Sequence, residues 1–366
     1  MAAVNREDVL GALAGIVDPV SGKNLVDAGF IQGLVVRDGH VGFSIEVPAQ
    51  RGPSAEPLRQ NSERVVAALP GVLSVTAVLT AHQDSGARKA PSGHTPAREP
   101  PAGVPGVDAV IAVASGKGGV GKSTVAVNLA LGLHKLGLRT GLLDADIYGP
   151  SVPRLLAIRE KPRSRDGKVL EPIVKFGLKT MSIGFLVGES EAMIWRGPMV
   201  MSALTQMLAD VAWAPLDVLV VDMPPGTGDA QLTIAQRVPL KGAVVVSTPQ
   251  DLALIDARKA ITMFAKTQVP ILGIVENMSM FVCPHCGHES HIFGHGGARA
   301  TAGELDVPFL GEIPLVPTIR ETSDAGTPIV ALAPESLEAQ AFLVLAAAVA
   351  EKIRAPARPR PRIVME

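Results

Sequence analysis

Apolar and polar positions along the chain change rhythm several times. Asn5 precedes apolar positions at helical spacing, which predicts a capped helix running towards Ile16. In GLVVRDGHVGFSIEV, residues 33–47, apolar and polar positions alternate on both sides of Asp38-Gly39, a turn pair, and predict a β-hairpin. A second helical pattern spans Glu56 to Leu69, and GVLSVTAVLT then reads as a strand. Residues 1–82 therefore form a small α/β module. From 83 to 106 Pro, Gly, Ala and Ser dominate without apolar periodicity, which predicts a linker.

From Val107 the rhythm becomes that of short apolar strands separated by helices: DAVIAVAS, TVAVNLALGLHKLG, RTGLLDAD, then LDVLVVDMP, GAVVVSTP and VPILGIVENM. Continuous apolar runs of this kind mark strands buried on both faces. The expected fold is α/β, a doubly wound, mainly parallel sheet over 107–355. The end, APARPRPRIVME, carries too much proline for a helix, so 356–366 reads as an exposed tail.

Composition supports this picture. At 366 residues the chain has room for two domains, and with 47% apolar but only 3% aromatic residues its cores must be aliphatic. The net charge of −1 provides no field for nucleic acid or anionic lipid, so neither is an expected partner. MAAVNREDVL lacks a signal-peptide core. The apolar run Ala341 to Ala350 falls short of the roughly 18 to 20 residues that cross a bilayer. A cytoplasmic protein is expected.

Directly after the first strand of the larger domain stands SGKGGVGKST, which fits G-x-x-x-x-G-K-[ST] at Gly116, Gly121, Lys122 and Ser123. Strand, glycine loop and helix follow in the order a phosphate cradle requires. The expected nucleotide contacts are Gly116, Lys117, Gly118, Gly119, Val120, Gly121, Lys122, Ser123 and Thr124. Lys122 would bridge the β and γ phosphates of ATP, Ser123 would ligate Mg2+, and Thr124 would reach the α phosphate. Lys117 is unusual: so close to Lys122 it cannot easily share the same phosphate, but it could reach a neighbour's nucleotide across a dimer interface, or simply be a solvated surface lysine. The loop KGGVGKS resembles the deviant Walker A motif of MinD and ParA-like dimeric ATPases, in which this lysine acts in trans.

Hydrolysis also needs a carboxylate for the metal and a polar group to place water. LVVDMPPGTGD ends a strand at Asp222, the expected metal-binding carboxylate, and is followed by a switch-like loop. LLDADIYGPS offers Asp144 and Asp146; Asp146 is assigned to the attacking water, as in the resembled family, and Asp144 could equally cap the following turn. Asn277, at the end of VPILGIVEN, matches the position that contacts adenine in this class, with a plain strand-end Asn as the competitor.

The segment NMSMFVCPHCGHESHIFGHGG holds the only two cysteines, Cys283 and Cys286, with His285, His288, His291 and His295. A redox dithiol would need a helix N-terminus in a thioredoxin-like setting. A zinc site could use Cys283, Cys286, His291 and His295. The third reading is a cluster: a [4Fe-4S] centre takes four thiolates, as does a [2Fe-2S] centre, so ligand count does not choose between them; one chain supplies two, and a two-fold axis through a homodimer would bring a pair from each copy together.

The chain resembles the Mrp/ApbC family of P-loop iron-sulfur cluster carriers. The likeness rests on SGKGGVGKSTVAVNLA, DADIYGPSVPRLL, WRGPM, DMPPGTGDAQLT, STPQDLALIDARK and ENMSMFVCPHCGH, and covers about 107 to 355. VDPVSGKNLVDAGFIQGL and LPGVLSV resemble the MIP18-like (DUF59) domain; its Pro-rich loop, here PAQRGPSAEP, contains no cysteine and is assigned no ligand. The resemblance implies a carrier that accepts a cluster from an upstream scaffold and transfers it to apoproteins while hydrolysing ATP slowly. Rival expectations are a MinD/ParA-like positioning or partition ATPase, or a zinc-binding nucleotide-dependent scaffold.

Overall fold

The computed structural model describes residues 4–18, 22–37, 40–48, 56–72, 74–82, 103–165, 169–186 and 197–354. The chain divides into two compact units, Met1–Ala97 and Arg98–Glu366. That division falls inside the stretch read as a linker, of which residues 83–102 lie outside the described residues, as does the expected tail.

In the first unit, helix α1 (Arg6–Ala14) opens with a reciprocal cap. Asn5 Oδ1 accepts from the N–H groups of Glu7 and Asp8 at 2.8 and 2.9 Å, while Asp8 Oδ2 accepts from Asn5 N–H at 3.1 Å. The helix ends two residues before Ile16, where Gly15 takes the C-cap. Strands β1 (Ile31–Arg37) and β2 (His40–Pro48) pair antiparallel with Arg37 opposite His40, and the turn expected at Asp38-Gly39 lies outside the described residues. Helix α2 (Glu56–Ala67) crosses over to β3 (Ser74–His82), which lies parallel to β2. Val9, Leu13, Leu25, Ile45 and Val66 are sealed in this unit's own core.

The second unit is built on β4 (Val110–Ala114), α3 (Lys122–Lys135), β5 (Thr140–Asp144) and the short α4 (Val152–Leu155). A small ribbon of β6 (Ser164–Arg165) and β7 (Val169–Leu170) precedes β8 (Ile173–Lys175) and β9 (Leu178–Ser182). Then come α5 (Gly197–Ala209), β10 (Val218–Asp222), α6 (Asp229–Arg237), β11 (Leu240–Ser247) and α7 (Asp251–Lys266). The chain continues through β12 (Ile271–Val282), β13 (Glu289–Ser290), α8 (Gly297–Glu304) and β14 (Phe309–Leu315), and finishes with α9 (Pro317–Asp324), α10 (Ile329–Leu332) and α11 (Leu337–Arg354).

The sheet runs β13-β12-β11-β4-β10-β5-β9-β8, with β14 also pairing β12. Strands β14, β12, β11, β4, β10, β5 and β9 are mutually parallel, and the antiparallel pairings are those of β8 and β13 at the margins. The fold is therefore a mainly parallel α/β sheet, as the continuous apolar runs predict. Every residue of β4, β5 and β10 is buried, consistent with helices on both faces. Helix α11 packs on α3 at Gly132, where an added Cβ would come within 2.7 Å of Ala346 Cβ. This close contact fixes α3, and hence the phosphate loop at its N-terminus.

The structure departs from the sequence reading in its strands. The short β6, β7, β8 and β13 and the parallel β9 and β14 were not anticipated, and β12 does not stop at Asn277 but continues to Val282. A register shift between Asn277 and Phe281, with Met278 at φ 56°, lets β12 bend and continue. The two cysteines consequently begin where a buried strand emerges.

Candidate functional site

The loop between β4 and α3 owes its path to two glycines. Gly119 and Gly121 have φ of 82° and 79°, a region that strains any side chain. Gly116 lies so close to the backbone of Asp256 on α7 that a Cβ there would overlap it. Gly121 is the N-cap of α3 and no side chain caps that end, so the helix presents its first N–H groups to whatever fills the loop. A cavity of about 280 Å3 opens here, lined by Lys117, Gly118, Gly119, Gly121, Lys122, Ser123 and Thr124, with Asp146, Ser151 and Pro225 among the residues around it. Gly116, Val120 and Asn277 are the exceptions among the expected contacts: none of them lines the cavity, and Val120 and Asn277 are buried. Lys117 does line it, and its ammonium makes no hydrogen bond or ion pair with any described residue.

Opposite the loop, Asp222 closes β10 and is fully buried. Its Oδ1 forms an ion pair with Lys122 Nζ, which also donates to Ser123 Oγ at 3.1 Å. Asp222 Oδ2 is buried with no hydrogen-bond partner. An orphaned carboxylate oxygen on an aspartate that shares the Lys122 ammonium with a serine hydroxyl is a donor set suited to a hard divalent cation. The loop after Asp222 folds back on the glycine loop, with Gly226 N–H donating to Ser115 O at 2.9 Å.

The two aspartates after β5 differ in their surroundings. Asp144 accepts from Asp146 N–H at 3.2 Å, Val152 N–H at 3.1 Å and the Ser182 hydroxyl at 3.0 Å, so it fastens the turn and the start of α4. Burial, followed by the neighbouring Asp222 carboxylate, pushes its pKa up to about 7. Asp146 lines the cavity and accepts from Gly149 N–H at 3.3 Å. Burial raises its pKa as well, against the pull of the Lys122 ammonium.

Asn277 is brought to the loop from far away in sequence. Its amide donates to Val120 O at 2.8 Å. Its neighbour Glu276 is fully buried and accepts from Ala298 N–H at 2.7 Å, Gly296 N–H at 3.1 Å and Ser279 Oγ at 2.7 Å. Glu276 went unread in the sequence, as did Ser182 and Gln231, whose amide donates to Pro224 O at 3.2 Å and to Pro225 O. Ser182 meets Asp144 through the pairing of β5 with β9, Glu276 meets the start of α8, and Gln231 folds back on the loop that precedes its helix, so residue type alone gives no signal for them.

Beyond Val282 the chain turns through Cys283 and Cys286 and returns as β13, with Val282 opposite Glu289. Cys283 N–H donates to His288 O at 3.0 Å and Gly287 N–H to Cys283 O at 2.9 Å, which closes a hairpin tip. Cys283 is half-buried and Cys286 exposed. The N–H groups of His285 and Cys286, aided by the Cys286 thiol, hold the Cys283 thiol below its ordinary pKa, which favours the ligating thiolate. The rings of His291 and His295 lie 4.2 Å apart. Among the described residues no three His, Cys, Asp or Glu side chains converge as a metal site, so the four-ligand zinc arrangement is not assembled within one chain.

Lys122→Met leaves Asp222 buried without its counter-ion and is expected to cost about 3 kcal/mol in urea unfolding of nucleotide-free protein. Adding Asp222→Asn should recover most of that loss. A single variant as stable as the parent would show that the pair carries no such constraint.

Comparison with known proteins agrees with this geometry. Residues 106–350 match the family model described as NUBPL iron-transfer P-loop NTPase, and residues 6–78 match that of iron-sulfur cluster assembly protein. The iron-sulfur cluster carrier protein of Haemophilus influenzae is 56% identical over 251 residues, 68% of each chain. That of Helicobacter pylori is 42% identical over 341 residues, covering 93% of this chain and 90% of the relative. Among solved structures, the nucleotide-binding protein of Archaeoglobus fulgidus in complex with ADP matches with a TM-score of 0.55 and 43% identity over 60% of this chain and 87% of that one. The cell division ATPase MinD of Pyrococcus furiosus, at 23% identity and a TM-score of 0.50 over 67% of this chain and 99% of its own, shares the fold alone. No helix among the described residues is long and apolar enough to cross a membrane. With its sheet, its glycine loop and two thirds of its length matched in this way, the chain belongs to the NUBPL iron-transfer P-loop NTPase family.

Proposed function

We propose that this chain carries an iron-sulfur cluster between two copies of itself and delivers it to apoproteins, in a cycle of ATP binding and slow hydrolysis. The observation that carries the reading is the hairpin tip: two thiols, one of them favoured as thiolate, with no third metal-ligating side chain converging on them among the described residues. A second copy completes the set, and four thiolates suit a [4Fe-4S] cargo. A cluster held at an exposed tip by two ligands from each copy is open to attack by an acceptor's own thiols. The relatives named as cluster carriers support the same cargo. Thiols kept as ligands fit a reducing compartment, the cytoplasm.

In the nucleotide site, the loop N–H groups from Gly116 to Thr124 and the Lys122 ammonium hold the phosphates. When Mg2+ is bound it neutralises charge on the β and γ phosphates; Ser123 and Asp222 are the residues to hold it, with Lys122 released from Asp222 to the phosphates. Asp146 orients the attacking water from across the cavity. Lys117 reaches the nucleotide of the partner copy, which is why its ammonium has no partner among the described residues. The domains that serve this cycle are 107–355, with the cysteine hairpin, and the 1–82 module joined by 83–106.

Two experiments test the assignment. Cys283→Ser should lower iron after anaerobic reconstitution from about four atoms per dimer to near none; unchanged loading would refute the hairpin as the site. Lys117→Ala and Lys122→Ala chains should each be inactive alone. Mixed, they should recover about a quarter of parental ATPase activity, because the heterodimer rebuilds one complete site of two. No recovery on mixing would mean that Lys117 does not act across the dimer.

A further inference from the structure

Asn277 and Glu276 are adjacent on β12, and their side chains hold two different parts of the molecule. Asn277 Nδ2 donates to Val120 O at 2.8 Å, and both residues are buried. That amide fills the space under Gly121, where a Cβ would overlap it, and Met278 Cε would lie 3.6 Å from the same Cβ. The carbonyl of Val120 and the N–H of Gly121 belong to one planar peptide unit. Holding the carbonyl from one side therefore fixes the direction in which the Gly121 N–H points into the phosphate cavity. An anion drawing on that N–H polarises the peptide and strengthens its bond to Asn277.

Glu276 holds the other part. Its Oε2 accepts from Ala298 N–H at 2.7 Å, and its Oε1 from Gly296 N–H at 3.1 Å, so a buried carboxylate fastens the first turn of α8. Ser279 Oγ, 2.7 Å from the same Oε1, ties this carboxylate to the far side of the bend at Met278. The segment from Cys283 to Gly296 is thus fixed at both ends to β12: at its start by the strand, and at its end by Glu276.

We propose that Asn277 and Glu276 are positioning residues that couple the phosphate loop to the cysteine hairpin, so that nucleotide in the loop alters the hairpin's mobility and its hold on the cargo. The effect on cargo rests on the function proposed above; the mechanical link does not. Coupling of this kind is reciprocal, so cluster loading changes nucleotide affinity by the same factor that nucleotide changes cluster affinity.

The test is hydrogen exchange on the full-length protein without a cluster, with and without Mg2+ and a non-hydrolysable ATP analogue. In the parent, nucleotide should change exchange of the amides from 283 to 300 by about fivefold or more. In Asn277→Ala the change should fall below about twofold, while preference for ATP over GTP persists. Glu276→Gln, which leaves the loop contact intact, should bind nucleotide like the parent and also lose the response at 283–300; it covers the case in which the alanine variant does not fold. Three outcomes overturn the proposal: a parental hairpin that ignores nucleotide, variants that respond like the parent, or an Asn277→Ala protein that loses base preference and keeps the coupling. The last would make Asn277 an adenine contact. If Cys283→Ser still loads iron while exchange behaves as expected, the cargo assignment fails and the link stands.

Discussion

Parallel pairing puts the carboxyl ends of neighbouring strands along one edge of a sheet, and the chemistry of this chain depends on that constraint. β4 ends in the glycine loop, β5 in Asp144 and the turn to Asp146, and β10 in Asp222, with β10 sitting between the other two. β12, two strands beyond β4, ends in the cysteine hairpin and meets the glycine loop through Asn277 on the way. Any reordering of these strands would separate residues that are far apart in sequence and function only together.

Burial then sets the charges. Asp222 and Asp144 are both fully buried, the Asp222 carboxylate raises the proton affinity of Asp144, and Lys122 is the cation that compensates. Asp144 spends its oxygens on Val152, Ser182 and Asp146 and acts as a structural clasp. Asp222 keeps one buried oxygen free of any hydrogen bond. Of two acidic side chains at equivalent strand ends, the one with a spare oxygen is the one suited to a metal. That distinction comes from hydrogen-bond accounting and not from the type of residue.

Much of this was legible in the sequence because it is local. The order strand, glycine loop, helix is contained in residues 110–135, and the C-x2-C spacing in four residues. Apolar runs of four to six residues identified β4, β5, β10, β11 and β12, since burial on both faces removes the alternation that a half-exposed strand would show; the parallel β9 and β14 were not read. What was missed depends on contacts across the sheet. Asn277 reaches Val120 over 157 positions, and nothing in VPILGIVEN tells that its amide is spent on the loop. Glu276 reads as an ordinary acidic residue until α8 is seen to start against it. The run of β12 past Asn277 to Val282 was hidden by the bend at Met278, where a positive φ interrupts a pattern that assumes straight strands.

The proposed carrier role requires the cysteine hairpin to be half of a site, with a second copy of the chain as the other half. Native mass spectrometry of anaerobically purified and reconstituted protein tests it most directly, because it reports mass, stoichiometry and metal together. The claim predicts a dimer carrying one cluster of about four irons and four sulfides that splits into metal-free monomers as the cluster is lost. A monomer that retains a metal of its own, whether zinc or a whole cluster, would contradict it.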